Sequence, residues 1–261
     1  MMAVEAEGVS FRFPNRVAVD TSDLAIPAGC VTAVIGPNGS GKTTLLNGIA
    51  GLHRPSGGRL TVLGHRPEDI RSRIAYVLQY SKINEAMPVT VREVVAIGRY
   101  ASLGPFGRMG RDDRDQVERA MERMDICSLA NRHLVELSGG ERQRVFVAQG
   151  LAQERDMLLL DEPLTGLDLV SARTIDEVIH AEQALGVTVI LTTHDLAEAR
   201  VADYVVLMAG RVISAGPPDV ALSDTVLAEA YGSRVLHFQP EEMLDDPAHV
   251  PAKPRPERPP P

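Results

Sequence analysis

The sequence contains no tryptophan, and aromatic residues make up only 4% of its 261 positions. Because apolar residues make up 44%, a sizeable core is expected, built mainly from aliphatic side chains. No run approaches the roughly 18 apolar residues that a membrane-spanning helix needs. The opening MMAVEAEGVS lacks the basic and apolar regions of a signal peptide. Any membrane role is therefore expected to depend on a partner subunit.

Cysteine and positive charge are also scarce. Cys30 and Cys127 are far apart and have no metal-ligand spacing, which favours a reducing cytoplasmic compartment. The seven histidines are scattered without paired spacing, so they predict no metal site. A net charge of −8 argues against non-specific nucleic-acid binding, which requires a basic surface.

The most informative stretch is an apolar, β-branched run that breaks into a glycine-rich loop and then continues at helical spacing. A strand, the pattern G-x-x-x-x-G-K-T and a helix form the context of a phosphate-binding loop. The loop and its flank are Gly36, Pro37, Asn38, Gly39, Ser40, Gly41, Lys42, Thr43 and Thr44.

These residue types suit a nucleoside triphosphate. The glycines allow successive backbone N–H groups to point inward, and the helix start adds its positive dipole end. Lys42 is expected to contact the β- and γ-phosphates, and the Thr43 hydroxyl to ligate Mg²⁺. The sequence therefore predicts binding of a nucleoside triphosphate with Mg²⁺.

Two further apolar runs end in polar residues. Met157 to Leu160 leads into Asp161 and Glu162, which are placed to hold Mg²⁺ and to polarise the attacking water. The run from Val187 to Leu191 leads to His194, either a phosphate-facing group or a structural histidine.

Three other positions carry weaker signals. Gln79 follows a short strand and could reach the metal, although a glutamine there can equally be unremarkable. Phe13 could stack on adenine or belong to the core. Asp168 could cap a helix over 169–184.

Ser138, Gly139 and Gly140 begin another helix, and Glu141 completes a capping box with Ser138. Two glycines in a first turn cost about 1 kcal/mol each against alanine. Bare N–H groups at a helix start suit an incoming phosphate, which favours a functional interpretation over capping alone.

The pattern predicts an α/β fold, with a P-loop NTPase core of mixed, mainly parallel sheet. It adds an N-terminal antiparallel β subdomain and an all-helical insert over about 82–150. Within the insert, 98–110 is expected to be a loop because it contains four glycines and a proline. Residues 1–235 are taken as the ATPase domain, and the acidic, proline-rich 236–261 as a disordered tail.

Taken in order, these motifs resemble those of ATP-binding-cassette (ABC) ATPases over about residues 3–235. The motif residues are Phe13, GPNGSGKT 36–43, Gln79, LSGGERQ 137–143, LLLLDE 157–162, TGLD 165–168 and His194. The resemblance implies that two copies sandwich two ATP molecules, with Ser138 and Gly140 of one copy facing the γ-phosphate held by Lys42 of the other. It implies Glu162 as general base, His194 as γ-phosphate sensor and Asp168 at the dimer seam.

Phe13 stands where the family more often has tyrosine, and Glu141 where many members have glutamine. The stretches 98–137 and 146–168 look like the ATPases of bacterial zinc or manganese uptake systems, with siderophore or haem importers as the alternative. The resemblance implies a peripheral subunit at the cytoplasmic face of the membrane. Its partners would be an integral permease and, indirectly, a metal-binding extracytoplasmic protein.

Two other classes remain as rivals. A soluble cassette ATPase acting on DNA or ribosomes would usually carry a long coiled-coil insertion or two cassettes. A P-loop kinase would not need Ser138, Gly139 and Gly140.

Overall fold

Buried and exposed side chains alternate along the first strands, as an antiparallel sheet packed on one face requires. A computed structural model describes residues 1–78, 88–103 and 107–232. In it, three strands form an antiparallel sheet in the order β2-β1-β4. They are β1 Met2–Phe13, β2 Arg16–Pro27 and β4 Gly57–Val62. The predicted N-terminal antiparallel sheet is confirmed.

A second sheet has six strands, several of them buried along their whole length. The strands are β3 Val31–Ile35, β5 Ile74–Val77, β6 Met157–Leu160, β7 Thr188–Thr193, β8 Tyr204–Met208 and β9 Val212–Gly216. Their order is β5-β6-β7-β3-β8-β9, and only the β8–β9 pair is antiparallel. The mixed, mainly parallel sheet is as predicted.

Helices cover both faces of the larger sheet. They are α1 Lys42–Ile49, α2 Val91–Leu103, α3 Arg111–Arg123, α4 Gly139–Leu151, α5 Leu169–Ala184, α6 Leu196–Val201, α7 Pro218–Ala221 and α8 Asp224–Tyr231. Helix α5 begins at the residue after Asp168, as the predicted cap requires, and Asp168 Oδ1 accepts the Ser171 N–H at 2.9 Å. Asp195 caps α6 in the same way, accepting the Ala197 N–H at 2.6 Å.

The predicted loop over 98–110 is wrong at its first half. Helix α2 starts with the Thr90–Glu93 capping box and continues through Gly98 to Leu103. Gly98 is explained by packing, since a Cβ there would lie 2.3 Å from the Gln149 carbonyl oxygen on α4. The glycine lets two helices approach closely, and the chain is irregular at 107–110.

Two hydrophobic cores lie on opposite faces of the larger sheet. Along β3, Val31, Ala33 and Ile35 join the core shared with α2 to α5. Val34 faces the other core, which includes α1 and the antiparallel sheet. Each fully buried large aliphatic side chain contributes about 1.5–3 kcal/mol. The strand ends are thus held rigidly between two packed layers.

Among the described residues, none of the helices is long and apolar enough to cross a bilayer. Two sequence predictions lie outside the described ranges: the role of Gln79 and the character of the tail over 236–261.

Candidate nucleotide-hydrolysis site

The parallel strands bring the predicted motifs to one edge of the sheet. In the register, Ile35 at the end of β3 pairs with Thr193, and Leu160 at the end of β6 pairs with Leu191. The residues that follow these ends therefore emerge side by side. This edge is where open α/β sheets bind ligands.

The loop between β3 and α1 depends on glycine at two points. A Cβ on Gly36 would lie 2.0 Å from the Met208 carbonyl oxygen, so only glycine fits there. Gly41 caps α1 with φ at 101°, a left-handed conformation that side chains disfavour. No side chain caps α1, and its first turn contains no acid. Its N-terminus therefore keeps donors and a positive dipole end for an anion.

A cleft of about 300 Å³ opens at this loop. It is lined by Arg16, Val17, Ala18, Asn38, Gly39, Ser40, Gly41, Lys42, Thr43, Thr44 and Glu162. The cleft thus brings together the loop, the predicted base and the start of β2.

Lys42 is only 6% exposed, and its Nζ donates to the carbonyls of Gly36 at 2.7 Å and Pro37 at 3.4 Å. Burial lowers the pKa of Lys42, while the charges of Glu162 and Asp161 oppose that shift. In the described part of the chain, no carboxylate oxygen lies within 4.0 Å of Nζ. A buried ammonium that, within the described residues, is bound by carbonyls and has no carboxylate partner suits a phosphate.

Ser40 adds a second observation at the same loop. Its hydroxyl oxygen is buried and has no hydrogen-bond partner among the described residues. Buried polar groups are normally paired, and an unpaired one calls for an explanation. A phosphate oxygen in the adjoining cleft would supply the missing partner.

The two acids after β6 are held by one hydroxyl of the neighbouring strand. Thr192 Oγ1 donates to Asp161 Oδ1 at 2.6 Å and accepts the Glu162 N–H at 2.8 Å. Asp161 is buried at 3% exposure, whereas Glu162 is partly exposed on the cleft. Glu162 also has φ at 48°, a strain of about 1–3 kcal/mol that functional sites often contain. The acids occupy different environments, as the two predicted roles require.

Phe13 lies at the end of β1 and is 37% exposed, so the core interpretation does not describe it. The Arg16 guanidinium lies 5.6 Å from its ring centroid, and the His53 ring meets it edge-on at 5.7 Å. Sequence reasoning missed Arg16, which also lines the cleft. The signal was its pairing with Phe13 across a two-residue hairpin turn.

The segment Ser138 to Gly140 lies elsewhere and does not line the cleft. The Ser138 N–H donates to Glu141 Oε2 at 2.8 Å, and Ser138 Oγ accepts the Glu141 N–H at 3.3 Å, which confirms the capping box. Gly139 has open space around it. A Cβ on Gly140 would lie 2.4 Å from both Asp168 Oδ2 and Ser171 Oγ. The two glycines thus have different surroundings.

His194 follows Thr193, whose register partner Ile35 directly precedes Gly36. Its side chain is exposed and does not line the cleft. Within one chain, the structure therefore brings together the loop, Asp161, Glu162 and the His194 turn, and it leaves the Ser138 segment apart.

Comparison with known proteins identifies this arrangement. A sequence profile of the family described as ABC transporter matches residues 19–165, more than half of the chain. The chain belongs to the ABC transporter family. Its ATPase fold agrees with a solved structure, the ADP conformation of MJ1267, an ATP-binding cassette of an ABC transporter. That chain is 25% identical with a TM-score of 0.74, and the match covers 88% of this chain and 98% of that one.

Two curated relatives of this ABC ATPase are similar over most of their length. The manganese transport system ATP-binding protein MntB of Listeria monocytogenes is 33% identical over 236 residues, 90% of this chain and 98% of the relative. The zinc transport system ATP-binding protein TroB of Treponema pallidum is 35% identical over 234 residues, 89% of this chain and 88% of the relative.

The predictions of an ABC ATPase fold and of ATP binding and hydrolysis are thus confirmed. ABC transporter ATPases pair with one another and act on a membrane permease, as the resemblance implied. The rival P-loop kinase is set aside by the family match.

Proposed function

We propose that this ABC ATPase drives uptake of a divalent metal ion, zinc or manganese, through a separate membrane permease. The observation that carries the proposal is its similarity to MntB and TroB, which extends over about nine tenths of the chain. Alignment over nearly the whole length includes the helical insert, so the likeness is not limited to the shared ATP-binding motifs.

In the proposed mechanism, the loop from Gly36 to Thr44 holds the triphosphate, with Lys42 on the β- and γ-phosphates. Glu162, on the wall of the cleft, orients and deprotonates the attacking water as general base. His194, at the neighbouring strand end, contacts the γ-phosphate, and Phe13 stacks on adenine. The open N-terminus of α1 and the carbonyl-bound ammonium of Lys42 support this assignment.

The residues present fit a Mg²⁺ ion. The Thr43 hydroxyl and the Asp161 carboxylate supply oxygen ligands of the kind Mg²⁺ prefers, and Gln79 would add a third from outside the described ranges. Asp161 uses Oδ1 for Thr192, and the carboxylate retains acceptor capacity for the ion's water shell. When bound, Mg²⁺ neutralises charge on the transferred phosphoryl group.

The hydrolysis centre is completed by a second copy. Ser138, Gly139 and Gly140 of one copy face the γ-phosphate bound by the other, and Asp168 lies at the seam between them. ATP therefore favours the closed pair and hydrolysis reopens it, which moves a permease that prefers one state. Separation of the Ser138 segment from the cleft within one chain supports this arrangement.

This assignment places the subunit at the cytoplasmic face of the membrane, with an extracytoplasmic metal-binding protein delivering the ion and no nucleic acid as partner. We also propose residues 1–235 as the ATPase unit, with 82–150 as its helical subdomain and 236–261 as a separate tail.

The function is tested by deleting the gene in its host and measuring cellular zinc, manganese and iron by elemental mass spectrometry. Zinc or manganese accumulation should fall, and it should recover with the wild-type gene but not with Lys42→Ala. Unchanged zinc and manganese would contradict metal import. Loss restricted to siderophore-bound iron or haem would support the alternative importer class.

The catalytic assignment is tested with Glu162→Gln. Because the amide cannot accept the proton of the attacking water, turnover should fall about 10²–10⁴-fold. ATP binding should persist, so size-exclusion chromatography with ATP should show a trapped dimer. Full ATPase activity in this variant would refute Glu162 as the base.

A further inference from the structure

The turn that carries His194 is held by a side chain that no motif includes. Thr193 Oγ1 accepts the Asp195 N–H at 2.9 Å and donates to Glu198 Oε2 at 2.5 Å. Both hydrogen bonds connect Thr193, the residue before His194, to residues that follow it. Thr193 is buried at the end of β7, so its hydroxyl is a fixed point to which the turn is attached.

Glu198 occupies a costly position for a carboxylate. It is half-buried on α6 and lines a small cavity of about 40 Å³ with Leu164, Ile179 and Leu191. Burial raises the pKa of Glu198, and the hydrogen bond from Thr193 opposes this shift. The charges of Asp195 and Asp176 raise the pKa further, whereas the charge of His194 lowers it. Asp176 in turn faces His180 at 3.7 Å on α5.

Helix stability accounts for part of this placement, because Glu198 lies in the first turn of α6, where a carboxylate interacts favourably with the helix dipole. It does not account for the inward direction of the side chain, since Asp195 already caps α6 and a solvent-facing carboxylate would serve the dipole without the cost of burial. What Glu198 adds is an acceptor for the Thr193 proton. With that proton committed to Glu198, the lone pairs of Oγ1 are presented to the Asp195 N–H.

We propose that Glu198 is a positioning residue for His194, acting through Thr193 to fix the turn that presents the imidazole at the strand edge. The inference rests on the proposed role of His194 in hydrolysis. Without the bond to Glu198, the Thr193 hydroxyl can rotate, and the turn loses one of its two restraints. The imidazole is then misplaced relative to the γ-phosphate, while the loop around Lys42 is untouched.

The test compares Glu198→Ala, Glu198→Gln and the control Arg200→Ala, an exposed position on the same helix. ATPase kinetics of the full-length chain should show kcat about tenfold lower for Glu198→Ala, with KM for ATP within about twofold of wild type. Glu198→Gln keeps an acceptor oxygen and should restore most of kcat. Arg200→Ala should behave as wild type.

A double-mutant cycle separates this inference from the role of His194 itself. Adding Glu198→Ala to His194→Ala should cause no further loss, since both changes remove the same contact. An equal drop in that background, or a Glu198→Gln variant as slow as Glu198→Ala, would overturn the inference. Wild-type turnover in Glu198→Ala, together with an inactive His194→Ala, would overturn this inference but leave the catalytic assignment of His194 in place. Wild-type turnover in His194→Ala would overturn the catalytic assignment and this inference together.

If Glu198→Ala lowers Tm below the assay temperature, Thr193→Ser and Thr193→Val carry the same test. Serine keeps the hydroxyl bridge and should retain kcat. Valine removes it and should match the tenfold loss, and equal activity of the two variants would overturn the inference.

Discussion

Helices α1 and α4 both begin in glycine-rich segments, but their N-termini differ. Helix α1 is preceded by Gly41 and has no side-chain cap and no acid in its first turn. Helix α4 is capped by Ser138, which exchanges two hydrogen bonds with Glu141. The first N-terminus is left open for an anion, and the second is already bonded to a carboxylate of its own chain.

This difference fits two proposed functions: the N-terminus of α1 binds phosphate within one chain, and the N-terminus of α4 completes the site of a second copy. The α1 end has a buried lysine without a carboxylate partner in the described residues, so its charge favours nucleotide in a single chain. The α4 end presents Ser138 and Gly139 at the surface, with its negative charge already in place. We expect α1 variants to lose ATP binding and α4 variants to lose only the step that needs two copies.

The largest effect is expected when the N-terminus of α1 is disabled in one copy of the protein and the N-terminus of α4 is disabled in the other. Lys42→Ala should lower kcat/KM about 10²–10³-fold by removing the phosphate contact. Ser138→Arg should abolish turnover but keep binding of a fluorescent ATP analogue. Mixing the two inactive proteins should restore activity, because each mixed dimer contains one intact Lys42 facing one intact Ser138.

The controls are each variant alone at the same total concentration, and a mixture of Lys42→Ala with the double variant. None of these three samples should exceed the residual turnover of Lys42→Ala. If mixing restores nothing while mixed dimers are detected by mass spectrometry, the two helix ends do not share a site in this way.

A smaller effect is expected on stability at the two glycines that begin α4. Gly140→Ala places a methyl against Asp168 and Ser171 and should cost about 1–3 kcal/mol, or about 2–4 °C in Tm per kcal/mol. Gly139→Ala is the matched control, because its Cβ meets open space and alanine favours a helix. Calorimetry should show a lower Tm for Gly140→Ala only. Equal Tm values would mean that the contact between α4 and α5 is looser than described.

The smallest effect is expected from Glu141→Gln. Glutamine preserves the capping box and removes a negative charge, so ATP-driven pairing should strengthen about twofold at low salt. Hydrogen bonding to the Ser138 N–H lowers the pKa of Glu141 below its ordinary 4.5. Its contribution to stability is therefore present above that value and is lost as pH falls through the lowered pKa.

Thermal unfolding at pH values on both sides of 4.5 checks this sign. Wild type should lose more Tm on acidification than Glu141→Gln does. A variant that pairs more weakly with ATP than wild type would show that the carboxylate assists, rather than opposes, the incoming phosphate.

Local patterns predicted much of the fold because their causes are local. The starts of α5 and α6 follow from Asp168 and Asp195, each of which caps the helix beginning at the next residue. Buried strands ending in polar residues placed Asp161, Glu162 and the His194 turn at one edge. Because the carboxyl ends of parallel strands lie at the same edge of a sheet, this placement follows from strand direction and needs no knowledge of side-chain contacts.

The failures came from contacts between distant residues. Gly98 was interpreted as a loop glycine, although its partner is a carbonyl 51 positions later on α4. The close packing of Gly140 against Asp168, the residue that caps α5, was likewise not visible in the sequence, while its predicted contact with phosphate stays a prediction. The Thr192 and Thr193 hydroxyls were invisible as site residues, because threonine in a buried strand is ordinary until its partners are known.

Thr192 has a consequence for how the catalytic edge is assembled. One oxygen atom on β7 binds both the Asp161 carboxylate and the main-chain N–H of Glu162, so the Asp161 side chain and the Glu162 backbone are positioned without nucleotide. The edge is therefore organised before ligand arrives, and little ordering entropy remains to oppose binding. A serine could replace this threonine, whereas an isosteric valine would remove both hydrogen bonds at once.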